Sequence, residues 1–433
     1  MNRLLLATLI FFACIGIALA EDVNLKELTK AANKGSAEAQ YLLGQLYLDG
    51  NGVEQDIERG MGLLIQARRK GNLRAQVSLG KIFFEIDEFQ KAIAELREPA
   101  EKEDVEAQYL LGATFYKIKD FPSTIFWLNK AANKGDYRAC TNLGYMYSNG
   151  VGVKADQQKA QELYLRGAEL GDSFAQYNLG KRFLIGSAVK QNFNEALKWF
   201  ELAAKNGYPN AHTLLGDMYS HGLGVNVDLK KARELYLKGA ELGDPEAQLG
   251  LGLSFCSDNK EEQDYSEALK WFGLAARNGI PSAYGNLARM YYDGLGVKPD
   301  RKKAYELSLK ASEMGDSNAQ FSLGYRFLHG AGEKQDFDEA LKWFELAARN
   351  GEVNACYYLG RMYDGNLFAV ELNGKARMFS TGLKDNIKSY MWYSIGSKMG
   401  EQECSKKLPT IAEQMTKEQV AQANKMVDRF FEK

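Results

Sequence analysis

The chain has 433 residues, 45% hydrophobic and 26% charged, with 7 Pro and 42 Gly. That balance suits a folded protein and excludes a disordered, collagen-like or mucin-like chain. With 55 Lys and Arg against 56 Asp and Glu there is no positive excess to draw in a phosphate backbone, so nucleic acid is not an expected partner.

Residues 1–20 read as an export signal. Arg3 is followed by 17 uncharged residues ending Ala18-Leu19-Ala20, ahead of Glu21 and Asp22. A short positive start, an apolar run and a small-x-small ending predict cleavage after Ala20. The alternatives are an uncleaved anchor, since roughly 17 apolar residues just suffice to span a bilayer, and lipidation at Cys14. For the latter, Phe11, Phe12 and Ala13 are a poor match, and the apolar run continues to Ala20. No later stretch is apolar enough to span a membrane. The other cysteines, Cys140, Cys256, Cys356 and Cys404, are too few and too scattered for a disulfide scaffold, so stability must come from packing. A first helix is expected within 21–36.

From there one pattern governs the chain. Leu43-Gly44 recurs at Leu79-Gly80, Leu111-Gly112, Leu143-Gly144, Leu179-Gly180, Leu215-Gly216, Leu251-Gly252, Leu287-Ala288, Leu323-Gly324 and Leu359-Gly360. An Ala stands five residues before each Gly, or Ala288, and a Tyr or Phe three after, giving A-x-x-x-L-G-x-x-[Y/F] ten times. At about 100° per residue these positions form one stripe of an amphipathic helix, here termed helix A. A Gly inside a helix costs about 1 kcal/mol against Ala. Its recurrence therefore needs a cause, which close approach of a neighbouring helix supplies.

A second helix, B, follows in each unit, as in Lys230–Ala240, and ends at a Gly such as Gly35, Gly71, Gly135, Gly171 or Gly243. Asp136, Asp172, Asp244 and Asp316 are placed to cap the next helix A, and Pro245 suits a first turn. Asn192 with Glu195, Asp264 with Glu267 and Asp336 with Glu339 have the spacing of capping boxes at the start of helix B. The loop joining A to B often has the form G-x-G-V, as at Gly150 to Val153, Gly222 to Val225 and Gly294 to Val297, and the two short units around Gly80 and Gly112 lack it. Trp127, Trp199, Trp271 and Trp343 lie 72 residues apart on helix B, so the longer period is two units, and these rings are expected in the core. Residues 366–383 break the register as an insertion that is either a specific feature or a loose loop. Thr416 and Gln419 form a capping-box pattern ahead of Val420, Ala423, Met426, Val427, Phe430 and Phe431, apolar at helical spacing. The expected organisation is thus a repeat solenoid over 37–399 and a terminal cap over 400–433.

This unit, with its G-x-G-V loop, an Asp before helix B and a closing Gly, resembles the Sel1-like repeat family, relatives of tetratricopeptide repeats. The resemblance implies an all-α fold, an α/α solenoid whose A helices line a concave face, and a role as adaptor or scaffold rather than catalyst. Many bacterial members are exported and some are linked with host-cell interaction. The leader and Val23-Asn24-Leu25 look most like the secreted immunoglobulin-binding branch. In the cysteine-rich branch a Cys near the place of Cys140 and Cys356 pairs with one late in the preceding helix B; here that partner stretch is Ala-rich, as at Lys130-Ala131-Ala132, so no such disulfide is expected.

By analogy with the tetratricopeptide groove, the partner-facing positions lie three before the Gly, one after and four after. They hold Tyr41, Tyr109, Tyr145, Tyr177, Lys181, Arg289, Tyr292, Phe321, Tyr325, Tyr357 and Arg361. Tyr and Arg are common anchors of protein interfaces, and ordinary helix packing is the competing explanation for these side chains. Catalysis has little to work with. His212, His221 and His329 form no metal motif, and the last two occupy a site filled elsewhere by loop polars. Ser187 with Lys190 and Ser257 with Lys260 match S-x-x-K, the basis of an alternative reading as a cell-wall or β-lactam hydrolase, but no companion motifs accompany them. A purely mechanical spacer is the third reading. The expected protein is an exported, monomeric, cofactor-free, non-enzymatic scaffold for a protein partner, in the periplasm or outside the cell.

Overall fold

A computed structural model describes residues 25–256, 263–330, 334–365, 368–372 and 375–432. The leader at 1–20, Val23 and Asn24, and the Ser257–Lys260 pair lie outside the described residues. The chain forms two compact units, Met1–Ala211 and His212–Lys433.

In the first unit α1 (Leu25–Asn33) precedes five A/B hairpins. These are α2 (Ala37–Asp49) with α3 (Ile57–Arg69), α4 (Leu73–Glu85) with α5 (Phe89–Glu101), and α6 (Val105–Lys117) with α7 (Phe121–Asn133). Then come α8 (Tyr137–Asn149) with α9 (Gln157–Glu169), and α10 (Ser173–Ile185) with α11 (Phe193–Lys205). The unit boundary falls within α12 (Pro209–His221). The second unit continues with α13 (Leu229–Glu241), α14 (Pro245–Ser254), α15 (Tyr265–Arg277), α16 (Pro281–Asp293), α17 (Arg301–Glu313), α18 (Ser317–His329), α19 (Phe337–Arg349) and α20 (Val353–Tyr363). A hairpin of β1 (Phe368–Leu372) and β2 (Lys375–Phe379) comes next, then α21 (Asn386–Lys398), α22 (Gln402–Ala412) and α23 (Lys417–Phe431). Even-numbered helices through α22 are A helices and odd-numbered ones through α21 are B helices. The architecture is the all-α solenoid expected, with the β-hairpin as its exception.

The recurring Gly has the cause its cost demanded. A Cβ at Gly180, Gly216, Gly252, Gly324 or Gly360 would lie 2.6–2.7 Å from the ring of Phe200, Tyr236, Phe272, Phe344 or Tyr393 on the B helix of the same hairpin. At Gly80 and Gly112 the obstructing side chains are Leu96 and Leu128, at 2.4 and 2.8 Å. Each B-helix side chain is buried because helix A has no side chain there, and each is worth about 2 kcal/mol of transfer free energy.

Polar bonds key one hairpin to the next. The buried amides Gln40, Gln108, Gln176 and Gln320 donate from Nε2 to the carbonyls of Ala32, Ala100, Ala168 and Ser312, 2.8–3.1 Å away at the end of the preceding B helix. Each of those carbonyls also accepts a backbone N–H from the turn that follows, so the amide takes the second acceptor site at the helix end. Asn206, Asn278 and Asn350 in turn donate to Oε1 of Gln176, Gln248 and Gln320.

The caps form as predicted at Asp136, Asp172, Asp244 and Asp316. The three boxes at helix B form by half. Asn192, Asp264 and Asp336 accept backbone N–H bonds, but Glu267 turns to Trp271 and Lys270, and Glu339 to Lys342. Thr416 and Gln419 make the full reciprocal box. Where the short units lack Gly, Asp87, Glu103 and Lys119 take positive φ, the strained equivalent of the usual glycine. Trp199 and Trp343 are buried and Trp127 and Trp271 half-buried, in line with a core role.

The 366–383 insertion is built around the antiparallel hairpin, Leu372 opposite Lys375, and a bridge between Asp364 and Lys384 closes its base. Helix B then resumes in register, with Tyr393 on Gly360 as Phe344 is on Gly324. At the end, α23 buries Ala423 and Val427 and sets Phe430 edge-on to Trp392 at 5.8 Å. Phe431 faces outward, 49% exposed, because the apolar stripe is wider than the surface it covers.

Candidate protein-binding face

Within each unit an A helix touches the next A helix, α4 with α6 and α16 with α18, while no two successive B helices among the described residues come as close. That puts the A helices on the inside of each unit's curve. Of the eleven side chains predicted to face a partner, Tyr145, Lys181, Arg289, Tyr292 and Tyr325 are exposed on A helices. The other six are half-buried. In the first unit, Arg74 covers the ring of Tyr41 at 4.8 Å and Arg138 that of Tyr109 at 4.0 Å. Arg138 is itself held by Glu106 and Asp136, which push its pKa up. Tyr177 packs against Phe200 and Tyr208, with centroids 6.0 and 4.7 Å away. In the second unit Phe321 lies between Phe344 and Tyr358, and Tyr357 against Tyr358 and Tyr393. Arg361 lies 6.0 Å from the Tyr357 ring. The position three before the Gly therefore serves packing between hairpins, and the position one after it is the more accessible.

Four of the eleven, Arg289, Tyr292, Phe321 and Tyr325, meet around a single cleft of about 680 Å3 between α16 and α18. Its floor is Ser308 of α17, and Gly285, Asn286, Ala288, Asp316, Asn318, Ser322 and Arg326 complete the wall. The reason for the cleft is local. The hairpin 72 residues earlier fills this space with Tyr236, against Gly216 and Gly250, and with Thr213, whose hydroxyl bonds the Asp244 cap. Here Ser308 stands for Tyr236, Gly285 for Thr213 and Ala288 for Gly216. A ring and a threonine side chain are gone, and what has been gained is one methyl at 288 and the side chain of Ser322, which stands for Gly250.

A family model described as the Sel1 repeat matches residues 37–72, 105–136, 138–172, 173–208, 209–244, 245–280, 281–316, 317–352, 353–371 and 374–401. The chain belongs to the Sel1 repeat family. Residues 73–104 fall outside those matches, yet fold as the same hairpin, with Gly80 against Leu96. Among solved structures, the chain is similar to c5321, a protective antigen present in uropathogenic Escherichia coli strains that displays an SLR fold. That protein is 26% identical, with 95% of each chain covered and a TM-score of 0.69. A Sel1 repeat protein from Oxalobacter formigenes is 27% identical over 55% of this chain and 96% of that one, with a TM-score of 0.53. A Sel1 repeat array is a scaffold suited to protein–protein contact, since it offers an extended surface whose side chains vary over fixed core positions.

Other sequence candidates take different places in the Sel1 repeats. Ser187 sits in the turn after α10 with Lys190 exposed beyond it. His329 is not a loop polar: it is the last residue of α18, 7% exposed, with its ring 4.1 Å from Tyr325. Burial lowers its pKa to about 4. His221, at the same register in α12, is exposed and lies 2.9 Å from the Asp217 carbonyl. Cys140, Cys256, Cys356 and Cys404 are free thiols, and burial pushes Cys356 and Cys404 up to about 12. Among the described residues no group of His, Cys, Asp and Glu is arranged to hold a metal ion, and no helix is long and apolar enough to cross a membrane. Sequence reasoning missed Gly285, Ser308 and Asp316 as site residues. The available signal was a departure from the 72-residue pattern at 285, 288 and 308 together.

Proposed function

We propose that this Sel1 repeat protein is an exported, non-enzymatic adaptor that holds a protein partner against its A-helix face. The observation that carries the reading is the convergence of Arg289, Tyr292 and Tyr325, all exposed, on the cleft between α16 and α18. Aromatic and guanidinium groups beside a concave, partly apolar surface are what protein interfaces use as anchors. Export rests on the leader at 1–20, and an encounter with host proteins gains support from the likeness to a protective antigen of uropathogenic strains. The hydrolase alternative has no support, since Ser187 lies in the turn after α10 and Lys190 of the same motif is exposed.

A photocrosslinking residue placed at Tyr145 or Tyr325 tests the proposal, with Glu201 on the B-helix side as control. Crosslinking to one discrete protein from periplasm or host fluid is expected from the A-helix positions and not from Glu201. Equal labelling from all three sites, or none, would overturn it. Substitution should use Arg289, Tyr292 and Tyr325, because Tyr357 is part of the packing around Tyr393.

A further inference from the structure

We infer that the cleft between α16 and α18 receives one tyrosine side chain from an acidic segment of a partner polypeptide. This rests on the A-helix face being the binding face. The argument begins with volume. At the matching place in other hairpins the chain seats its own ring, Tyr164, Phe200, Tyr236, Phe272, Phe344 or Tyr393, against the recurring Gly. With Ser308 on the floor and Gly285 beside it, that seat is open here, and a Cβ on Gly285 would have no neighbour closer than Asp316 Oδ1 at 3.8 Å. The cleft falls within the size range of small-ligand pockets, roughly 300–1,000 Å3.

Polarity then selects the ring. Ser308 is 8% exposed and lines the cleft, so it is within reach of a guest seated there. A guest with a polar atom there can bond the hydroxyl, whereas a purely apolar guest would leave it unmatched on binding. Asp316 caps α18 through the Ala319 N–H, but the threonine hydroxyl that meets the equivalent Asp244 is missing at 285. Asp316 thus offers an acceptor at the rim for a backbone N–H of the guest. In the filled hairpin the Tyr236 hydroxyl donates to Asp217 Oδ1 at 2.7 Å. The residue at that register in α16 is Arg289, a donor, so a phenol oxygen seated likewise meets a group it can accept from. Arg289 is exposed, its nearest carboxylate being Asp293 at 3.8 Å, and with Arg326 it favours acidic residues flanking the tyrosine.

The test is anisotropy titration of the full chain with fluorescein-labelled Asp-Glu-Asp-Tyr-Asp-Glu-Gly and with the same peptide carrying Ala for Tyr. Binding of the Tyr peptide is expected, about tenfold or more tighter than the Ala peptide. The variant Ala288→Gly with Ser308→Tyr and Ser322→Gly restores the ring seat of the filled hairpin and should abolish that preference while keeping the helical circular dichroism and melting temperature. Arg289→Glu should weaken the Tyr peptide without unfolding the chain. Equal binding of both peptides, an undiminished preference in the filled variant, or no binding of the Tyr peptide at about millimolar concentration would overturn the inference. So would competition by N-acetyltyrosinamide at the peptide's own concentration, which would mark a small-molecule site. If crosslinking at Tyr325 persists in the filled variant, the A-helix face remains the binding face and this cleft is not its anchor.

Discussion

The hairpins at 209–244 and 281–316 share their helix boundaries and differ in what stands between the helices. In the first, Tyr236 lies against Gly216 and Gly250, Thr213 bonds Asp244, and the gap between successive A helices is closed from within. In the second, Ser308 and Gly285 in place of Tyr236 and Thr213 leave the same gap open to the A-helix face. The backbone is indifferent to the exchange because each helix is also held by its caps and its apolar stripe. A repeat array can therefore create a binding site by subtraction at one rung and leave its neighbours packed.

The comparison can be broken most forcefully by emptying the filled hairpin. Tyr236→Ser removes a buried ring and strands Asp217, and should cost about 4 kcal/mol in urea unfolding. A cost below that of an ordinary surface change would show that the ring is dispensable. Gly216→Val drives a branched side chain into the Tyr236 ring and should cost about 3 kcal/mol. Ala288→Gly, with no ring opposite it, should cost about 1 kcal/mol by helix propensity alone.

The two histidines extend the contrast. Burial holds His329 near 4 against an ordinary 6.5, so the unfolded chain takes up the proton first as pH falls. Stability is complete above about pH 6.5 and declines as pH drops toward about 4, on the order of 2 kcal/mol in all. His329→Gln should flatten that slope in thermal melts recorded across the window, and an unchanged slope would assign it to other groups. The smallest effect belongs to Gly285→Ala, which should stabilise by about 0.5–1 kcal/mol, since a helical glycine is replaced where there is room.

Much of the fold was legible because each hairpin repeats one solution. The Gly in helix A announced a close neighbour, and the Asp residues at 136, 172, 244 and 316 announced the helix starts. The 366–383 hairpin was not legible, because a single insertion has no second copy to establish its period. The cleft was hidden for a different reason. Gly285 and Ser308 lie on two helices, and only folding brings their missing volumes together. The tyrosines three before the Gly have the spacing of partner-facing groups, but the next A helix lays Arg74 and Arg138 over the rings of Tyr41 and Tyr109.

The amide keys have a consequence for how such a chain changes length. Gln176, Gln248 and Gln320 recur every 72 residues, each matched to an asparagine 30 residues further on. Duplication or excision of 72 residues therefore rejoins lock to lock, whereas a gain or loss of 36 sets a glutamine beside a leucine or methionine. Lengthening of the array is in this sense quantised in pairs of hairpins, and natural or engineered variants of other lengths should melt at lower temperature than those one pair longer or shorter.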